Sequence, residues 1–162
     1  MSNRDYTPND VAMYLNQSDF TYSMEREILN KIVSELQDQR VSKIAFIKEV
    51  DDILETYDPD ILKELNELNL KLSSDHQLIS YFKVIKLRLH YTEGCDHVRV
   101  KLRTILKRFG YKRRSEKLIN ELDEILNQLG LTVSLKGGIG CKLNEIPLDE
   151  FIMIRLRSEE DV

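Results

Sequence analysis

Apolar residues recur every three or four positions along the first 91 residues, which is the spacing of one face of an α-helix. Between these stripes stand residues whose side-chain oxygens can accept a hydrogen bond from a free N–H at a helix start. The pattern predicts four helices with these N-caps: Ser23, Ser42, Asp58 and Ser74. Short connections between them favour an antiparallel bundle. Residues 1–20 are polar around a short apolar stretch and predict a partly ordered arm with one helical turn.

The pattern changes in the last third of the chain. Asp96 can cap a helix that runs to Phe109, and Gly110 stands where a glycine commonly ends a helix. Ser115 can cap a second helix, which Gly130 would end in the same way. Two strand-like stretches follow, "LTVSL" and "EFIMIRLR", with the glycine-rich "KGGIG" between them. Helix, short turn, helix, strand, loop, strand is the order of a winged helix-turn-helix.

The predicted fold is therefore mainly α. An N-terminal helical bundle is followed by a winged-helix-like α/β module with a small two-stranded hairpin. The predicted division is an arm over residues 1–20, a bundle over 21–92 and the module over 93–162. The helix over 75–91 is also a candidate first helix of the module.

Composition places the chain among ordinary globular proteins. It has 162 residues, of which 41% are hydrophobic and 32% are charged. Only two cysteines occur, which favours a reducing compartment without a disulfide framework. No apolar run approaches the ~20 residues of a membrane span, and the N-terminus lacks a signal-peptide pattern. We therefore expect a cytoplasmic protein without membrane contact.

Charge is distributed unevenly along the chain, although its net value is only −4. Residues 97–117 contain nine Lys and Arg but one Glu, a net charge of +8 inside an acidic sequence. Such a block exceeds what solubility requires. Eight of these cations are candidate nucleic-acid contacts: Arg99, Arg103, Lys107, Arg108, Lys112, Arg113, Arg114 and Lys117.

The spacing of the cations suggests one continuous surface. On a helix over 97–109, Arg99, Arg103 and Lys107 would share a face. The remaining cations follow at the end of that helix, in the turn and at the next helix start. Cations in such an array neutralise phosphates and release counterions. Two other interpretations stay open: an acidic protein partner could dock there, or the cations could compensate the helix dipole and the chain's own acidic half.

The helix after Ser115 argues against sequence-specific reading of DNA. Its predicted exposed positions include Glu121, Asp123 and Glu124, which a phosphate-lined groove would repel. Contacts are therefore expected from the turn and the preceding helix, and mostly to the phosphate backbone of duplex DNA.

No motif in the sequence indicates an enzyme, a cofactor or a metal. The closest approach to a metal-ligand set is His90, Cys95, His97 and Cys141, whose spacing matches no standard zinc pattern. "KGGIG" lacks the spacing of a phosphate-binding loop. No nucleophile and base stand in a recognisable catalytic arrangement.

Six residues of segment 98–133 form a recognisable pattern: a helix ending in an aromatic residue and Gly, an Arg-containing turn, and a helix ending in "GL" before a strand. They are Phe109, Gly110, Arg113, Arg114, Gly130 and Leu131. The segment resembles a winged-helix-like helix-turn-helix module of bacterial proteins linked to restriction and phage defence. That resemblance implies winged-helix architecture and a defence or regulatory context.

Two functions follow from these observations. The first is a non-enzymatic nucleic-acid-binding protein or subunit that contacts mainly the phosphate backbone. The alternative is a small helical accessory subunit, which binds a larger protein partner without touching nucleic acid. Either function is compatible with an oligomer.

Overall fold

The computed structural model describes residues 6–38, 40–56, 74–135, 139–140 and 142–157. Contacts divide the chain into two compact units, Met1–Lys71 and Leu72–Val162. The helix predicted to begin at Asp58 lies outside the described residues.

The first unit contains three described helices: α1 Pro8–Gln17, α2 Tyr22–Ser34 and α3 Lys43–Thr56. Both α1 and α2 pack against α3. The apolar side chains buried at these contacts include Val11, Tyr14, Leu15, Leu29, Ile32, Val33, Phe46 and Val50. Their burial removes apolar surface from water and supplies the core of this unit.

Helix α1 has ten residues, where the sequence pattern predicted a single turn within an arm. A capping box starts it. The Thr7 hydroxyl accepts a hydrogen bond from the Asp10 N–H at 3.2 Å, and the Asp10 carboxylate accepts one from the Thr7 N–H at 3.0 Å. Pro8 occupies the first turn, where its missing N–H costs nothing. These local signals, together with burial against α3, extend the helix to Gln17.

The N-cap of helix α2 is Thr21, two residues before the predicted Ser23, and its hydroxyl accepts a hydrogen bond from the Met24 N–H at 3.3 Å. An arginine connects α2 to α3. Arg26 pairs with Asp51 through both terminal nitrogens, and its Nη1 lies 3.0 Å from Oδ2 of the carboxylate. The hydrogen bond to Asp51 raises the pKa of Arg26 above its ordinary value.

The second unit begins with a long helix and continues as a mixed α/β arrangement. Its elements are α4 Ser74–Tyr91, β1 Val98–Lys101, α5 Leu102–Arg108, α6 Glu116–Leu129, β2 Leu131–Leu135, β3 Ile139–Gly140 and β4 Phe151–Leu156. The strands form one antiparallel sheet in the order β1-β4-β2-β3. Helix α4 belongs to this unit and packs against α6 and β4.

The sheet has one buried face, which follows from the alternation of apolar residues along each strand. Val98 and Val100 of β1 are buried opposite Ile154 and Ile152 of β4. Leu131 of β2 is buried opposite the end of β4. This face meets the helices, and the alternate residues of the same strands form the opposite face.

The prediction of a helix over 97–109 was wrong in its first half. Residues 98–101 form β1, and α5 begins only at Leu102. The sequence V-R-V-K alternates between buried and exposed positions, and it pairs in antiparallel register with β4. Arg99 therefore lies on a strand and does not share a helix face with Arg103 and Lys107. The predicted strands over 131–135 and near 151–156 were confirmed, but they belong to a four-stranded sheet that β1 and β3 also join, and not to the predicted two-stranded hairpin.

No helix among the described residues is long and apolar enough to cross a membrane.

Candidate nucleic-acid interface

The segment 107–117, here called the joint, connects the end of α5 to the start of α6. Helix α5 ends in a Schellman motif. The Gly110 N–H donates to the Lys107 carbonyl at 3.4 Å, and the Tyr111 N–H donates to the Leu106 carbonyl at 2.9 Å. Gly110 has a φ of 78°, the left-handed region that glycine adopts without steric cost. The chain therefore turns sharply after Phe109.

Helix α6 leaves the joint in a defined direction because both its cap and its core side are specified. The Ser115 hydroxyl accepts a hydrogen bond from the Leu118 N–H at 3.2 Å. One stripe of the helix is buried: Leu118, Ile119, Leu122, Leu126 and Leu129. Gly130, with a φ of 67°, ends the helix as the sequence predicted. The first turn of α6 is thereby held beside the joint.

Four side chains of the joint project into solvent with their charges unmatched. These residues, here called the joint cations, are Lys107, Lys112, Arg113 and Lys117. All four are exposed, and none makes an ion pair or hydrogen bond within the part of the chain that the structure describes. They lie on the last turn of α5, in the turn itself and on the first turn of α6. Cations gathered on adjoining elements create a positive potential that attracts anionic ligands.

Arg114 has a different role from its neighbours. Its Nη1 donates to the main-chain carbonyl of Leu143 at 3.0 Å and to that of Ile146. Its side chain is half-buried, and Leu143 and Ile146 are themselves buried. Arg114 therefore attaches the segment after β3 to the joint, and its Nη1 is already engaged by two carbonyls.

Arg108 is exposed at the end of α5 but stacks on an aromatic cluster. Its guanidinium carbon lies 5.2 Å from the centre of the Tyr81 ring. Tyr81 in turn meets Phe109 edge to face, with ring centres 5.6 Å apart. Burial raises the pKa of Tyr81, although the nearby Arg108 and Arg88 oppose that shift. The contact orients the Arg108 side chain.

Arg103 is exposed and forms a two-point ion pair with Asp149. Its Nε lies 2.6 Å from Oδ1, and its Nη2 lies 3.2 Å from Oδ2. The hydrogen bonds from Arg103 hold the pKa of Asp149 below its usual range. The charge of Arg103 is thereby matched by a carboxylate, unlike the charges of the joint cations.

Arg99, the remaining predicted contact, lies away from the joint on the sheet. Together with Lys101 it stands over the ring of Phe151. The structure thus brings five of the eight predicted residues into the joint with exposed side chains: Lys107, Arg108, Lys112, Arg113 and Lys117. The other three lie in an ion pair, in carbonyl contacts or on the sheet.

The exposed face of α6 is acidic and amidic. Asp123, Glu124, Asn127 and Gln128 are exposed, as the sequence predicted, whereas Glu121 is half-buried. Gln128 donates to Glu124 at 3.4 Å. Because carboxylates repel phosphates, this face opposes insertion of α6 into a DNA groove beyond its first turn.

A groove beside α6 and the side chains that bind metals are the other candidates for chemistry in the described part of the chain. An open groove of about 620 Å³ lies beside the first turns of α6, and its lining includes both Lys142 and Asp123, so it has no single charge preference. Among the described residues, no group of three or more His, Cys, Asp or Glu side chains could hold a metal ion. Cys141 lies outside the described residues.

Sequence reasoning missed Phe151 and Asp149, which contact cations more than 45 positions earlier in the chain. The alternation within "EFIMIRLR" was the available signal for Phe151, because it places this ring on the same face as Met153.

In comparisons with known proteins, no family model, no curated protein and no solved structure matches the chain.

Proposed function

We propose that the protein is a non-enzymatic nucleic-acid-binding protein, which contacts the phosphate backbone of duplex DNA through the joint cations. The observation that carries this proposal is the set of four exposed cations on two adjoining helix ends and in the turn between them, none of which is paired within the described residues. Each cation that approaches a phosphate displaces condensed counterions from DNA, and the entropy of their release favours binding.

Winged-helix architecture is part of the proposal. The order α4, β1, α5, α6, β2, β4 and the central position of β4 between β1 and β2 support it. In such modules two helices joined by a short turn face the DNA. The joint occupies that position in the chain order, which makes its cations the side chains nearest to a bound duplex.

Low sequence specificity follows from the charge of α6. Its first turn carries Lys117, but Asp123 and Glu124 are exposed farther along the helix. Base edges in the major groove are read by side chains that penetrate between two rows of phosphates. Carboxylates in that position would be repelled, so the contacts expected here position the protein and do not read bases. A cytoplasmic defence or regulatory complex is the proposed context.

The proposal is tested with the variant Lys112→Gln plus Arg113→Gln. Its matched control is Lys31→Gln plus Lys48→Gln, which removes the same charge from exposed positions of α2 and α3. Binding of a fluorescent blunt duplex is followed by anisotropy over a series of salt concentrations. Four phosphate contacts predict a slope of log K against log salt of about −3.6, and two contacts predict about −1.8.

A fourfold rise in salt should therefore weaken the native protein and the control about 150-fold, but the joint variant only about 12-fold. Equal slopes for the two variants would contradict the assignment to the joint. Absence of salt-dependent duplex binding by the native protein would remove the proposed function itself.

A second candidate function is an accessory subunit that binds a larger protein. It is favoured by two apolar side chains in the first unit: Ile44 is 83% exposed and Tyr22 is 76% exposed. Aromatic residues such as Tyr22 are enriched at protein interfaces relative to the rest of the surface. A native pull-down with and without nuclease treatment separates the two candidates, because a partner bound through protein contacts survives the nuclease and one bridged by nucleic acid does not.

A further inference from the structure

We propose that the solvent face of the sheet is a second binding surface, which takes single-stranded nucleic acid by stacking bases on an arginine–phenylalanine pair. This outer sheet face consists of Arg99, Lys101, Ser134, Phe151, Met153 and Arg155. It uses none of the joint cations, so it goes beyond the function proposed above and does not depend on it.

The register of the strands assembles this face. Lys101 stands opposite Phe151, and Arg99 stands opposite Met153. Ser134 of β2 stands on the other side of Met153. Since residues that pair directly point to the same side of a sheet, these side chains share the face opposite the buried Ile152 and Ile154. Phe151 and Met153 of β4 therefore lie beside Lys101 and Arg99 of β1, which is a strand at the sheet edge.

The central feature of the outer sheet face is Phe151, which is 37% exposed although it is a large apolar residue. The guanidinium carbon of Arg99 lies 4.1 Å from the centre of its ring, and the Lys101 ammonium lies 4.9 Å from it. The ring and the cations attract each other, so Arg99 is oriented before any ligand arrives. Unpaired bases stack both on aromatic rings and on guanidinium planes.

Charge on this face favours a phosphate-bearing ligand. Neither Arg99 nor Lys101 makes a salt bridge among the described residues. Two carboxylates in the neighbouring segments have other partners, since Asp149 pairs with Arg103 and Asp96 pairs with His97, although the charge of Lys101 also helps to lower the pKa of Asp149.

Arg155 adds a third cation to the outer sheet face. It donates to the Ser134 hydroxyl at 2.9 Å, and its charge helps to lower the pKa of Asp96. Arg99 and Lys101 lie on β1, on one side of β4, and Arg155 of β4 reaches toward β2 on the other side. The phosphates between successive bases would therefore meet positive charge on both sides of Phe151 and Met153.

A single strand suits this surface better than the other ligands of the same charge. In a duplex, the bases are stacked on each other and cannot reach an exposed ring. An acidic peptide would be attracted by the cations but has no flat ring to stack on Arg99 and Phe151. Arg99 and Lys101 could instead serve to keep β1 from pairing with strands of other molecules. Charged residues alone suffice for that purpose, so it does not explain why Phe151 is exposed beside them.

The test measures binding of an oligothymidylate of about 12 nucleotides, with an oligouridylate of the same length as a second ligand. The variants are Phe151→Leu and, separately, Arg99→Gln. The matched control is Tyr22→Leu, because Tyr22 is an exposed aromatic that also lies near an arginine, with Arg26 at 5.4 Å from its ring centre. Because Phe151→Leu removes the aromatic surface on which a base would stack, we expect it to weaken binding about 10-fold.

Phe151→Trp should retain the affinity, since it keeps a stacking surface. Tyr22→Leu should leave it unchanged, and Phe151→Leu should leave duplex binding unchanged. Affinity of Phe151→Leu and Arg99→Gln within about twofold of the native protein would overturn the inference, as would Phe151-dependent binding of poly-glutamate in place of the oligonucleotides. Circular dichroism checks the folding of each variant. If Phe151→Leu does not fold, the comparison of Arg99→Gln with the native protein decides.

Failure of this inference is distinguishable from failure of the proposed function. Loss of duplex binding in the Lys112→Gln plus Arg113→Gln variant depends on the joint alone. Loss of oligothymidylate binding in Phe151→Leu depends on the outer sheet face alone. Each surface can therefore be refuted while the other stands.

Discussion

Arg113 and Arg114 are neighbours of the same residue type, and the structure assigns them opposite roles. Arg114 donates to two main-chain carbonyls of a segment whose Leu143 and Ile146 are buried, whereas Arg113 is exposed and unpaired among the described residues. Replacing each singly by Gln is therefore a matched comparison. We expect Arg114→Gln to destabilise the second unit and Arg113→Gln to leave its stability unchanged.

The magnitude follows from the two hydrogen bonds of Arg114. A hydrogen bond from a charged group contributes about 1.5–3 kcal/mol, and a group whose partner is removed also loses part of its solvation. Because the side chain is half-buried, water can reach the freed carbonyls, and we expect a loss of about 2 kcal/mol in all. An exposed substitution such as Arg113→Gln should change stability by less than about 0.5 kcal/mol.

Urea denaturation followed by far-UV circular dichroism measures this difference, since the chain has no Trp for fluorescence. With a urea dependence of about 2 kcal/mol per molar, the midpoint of Arg114→Gln should fall by about 1 M. If the two compact units unfold in separate transitions, only that of the second unit should move. Equal urea midpoints for both variants would refute the structural role of Arg114. If Arg114→Gln kept its full stability but bound duplex DNA more weakly, Arg114 would instead be a DNA contact.

Two further predictions concern single contacts. Gly110→Ala should lower the free energy of unfolding by about 1–2 kcal/mol in the same urea assay, because residue 110 has a positive φ but open space where a Cβ would lie; Gly110→Asn should cost less. Arg103→Gln should return the pKa of Asp149 to its ordinary range, measured by NMR titration of the carboxyl group. In the native protein that pKa is lowered, so the ion pair stabilises the fold above about pH 4 and the contribution is lost as the pH falls through the lowered value. A stable Gly110→Ala, or an unchanged titration in Arg103→Gln, would contradict these contacts.

Local signals in the sequence determined the helix that follows the joint. Ser115 as N-cap and Gly130 as the end of α6 were both predicted and both confirmed. These signals act within one or two turns of a helix, so they need no knowledge of the rest of the chain. The capping box at the start of α1 is equally local, because "TPND" supplies the N-cap Thr7, Pro8 in the first turn and Asp10 at the third helical position.

Partners distant in the chain decided what the sequence pattern could not. Arg99, Arg103 and Lys107 have a helical spacing, yet Val98–Lys101 forms a strand because β4, about fifty residues later, offers a ladder and a buried face. The same pairing places Arg99 over Phe151, and a distant loop engages Arg114.

The sequence alone therefore determined where positive charge concentrates, since charge is a property of each residue. Which of those cations remain free for a ligand was decided by the tertiary structure, because carbonyls, carboxylates and rings from other segments engage some of them and leave Lys107, Lys112, Arg113 and Lys117 exposed.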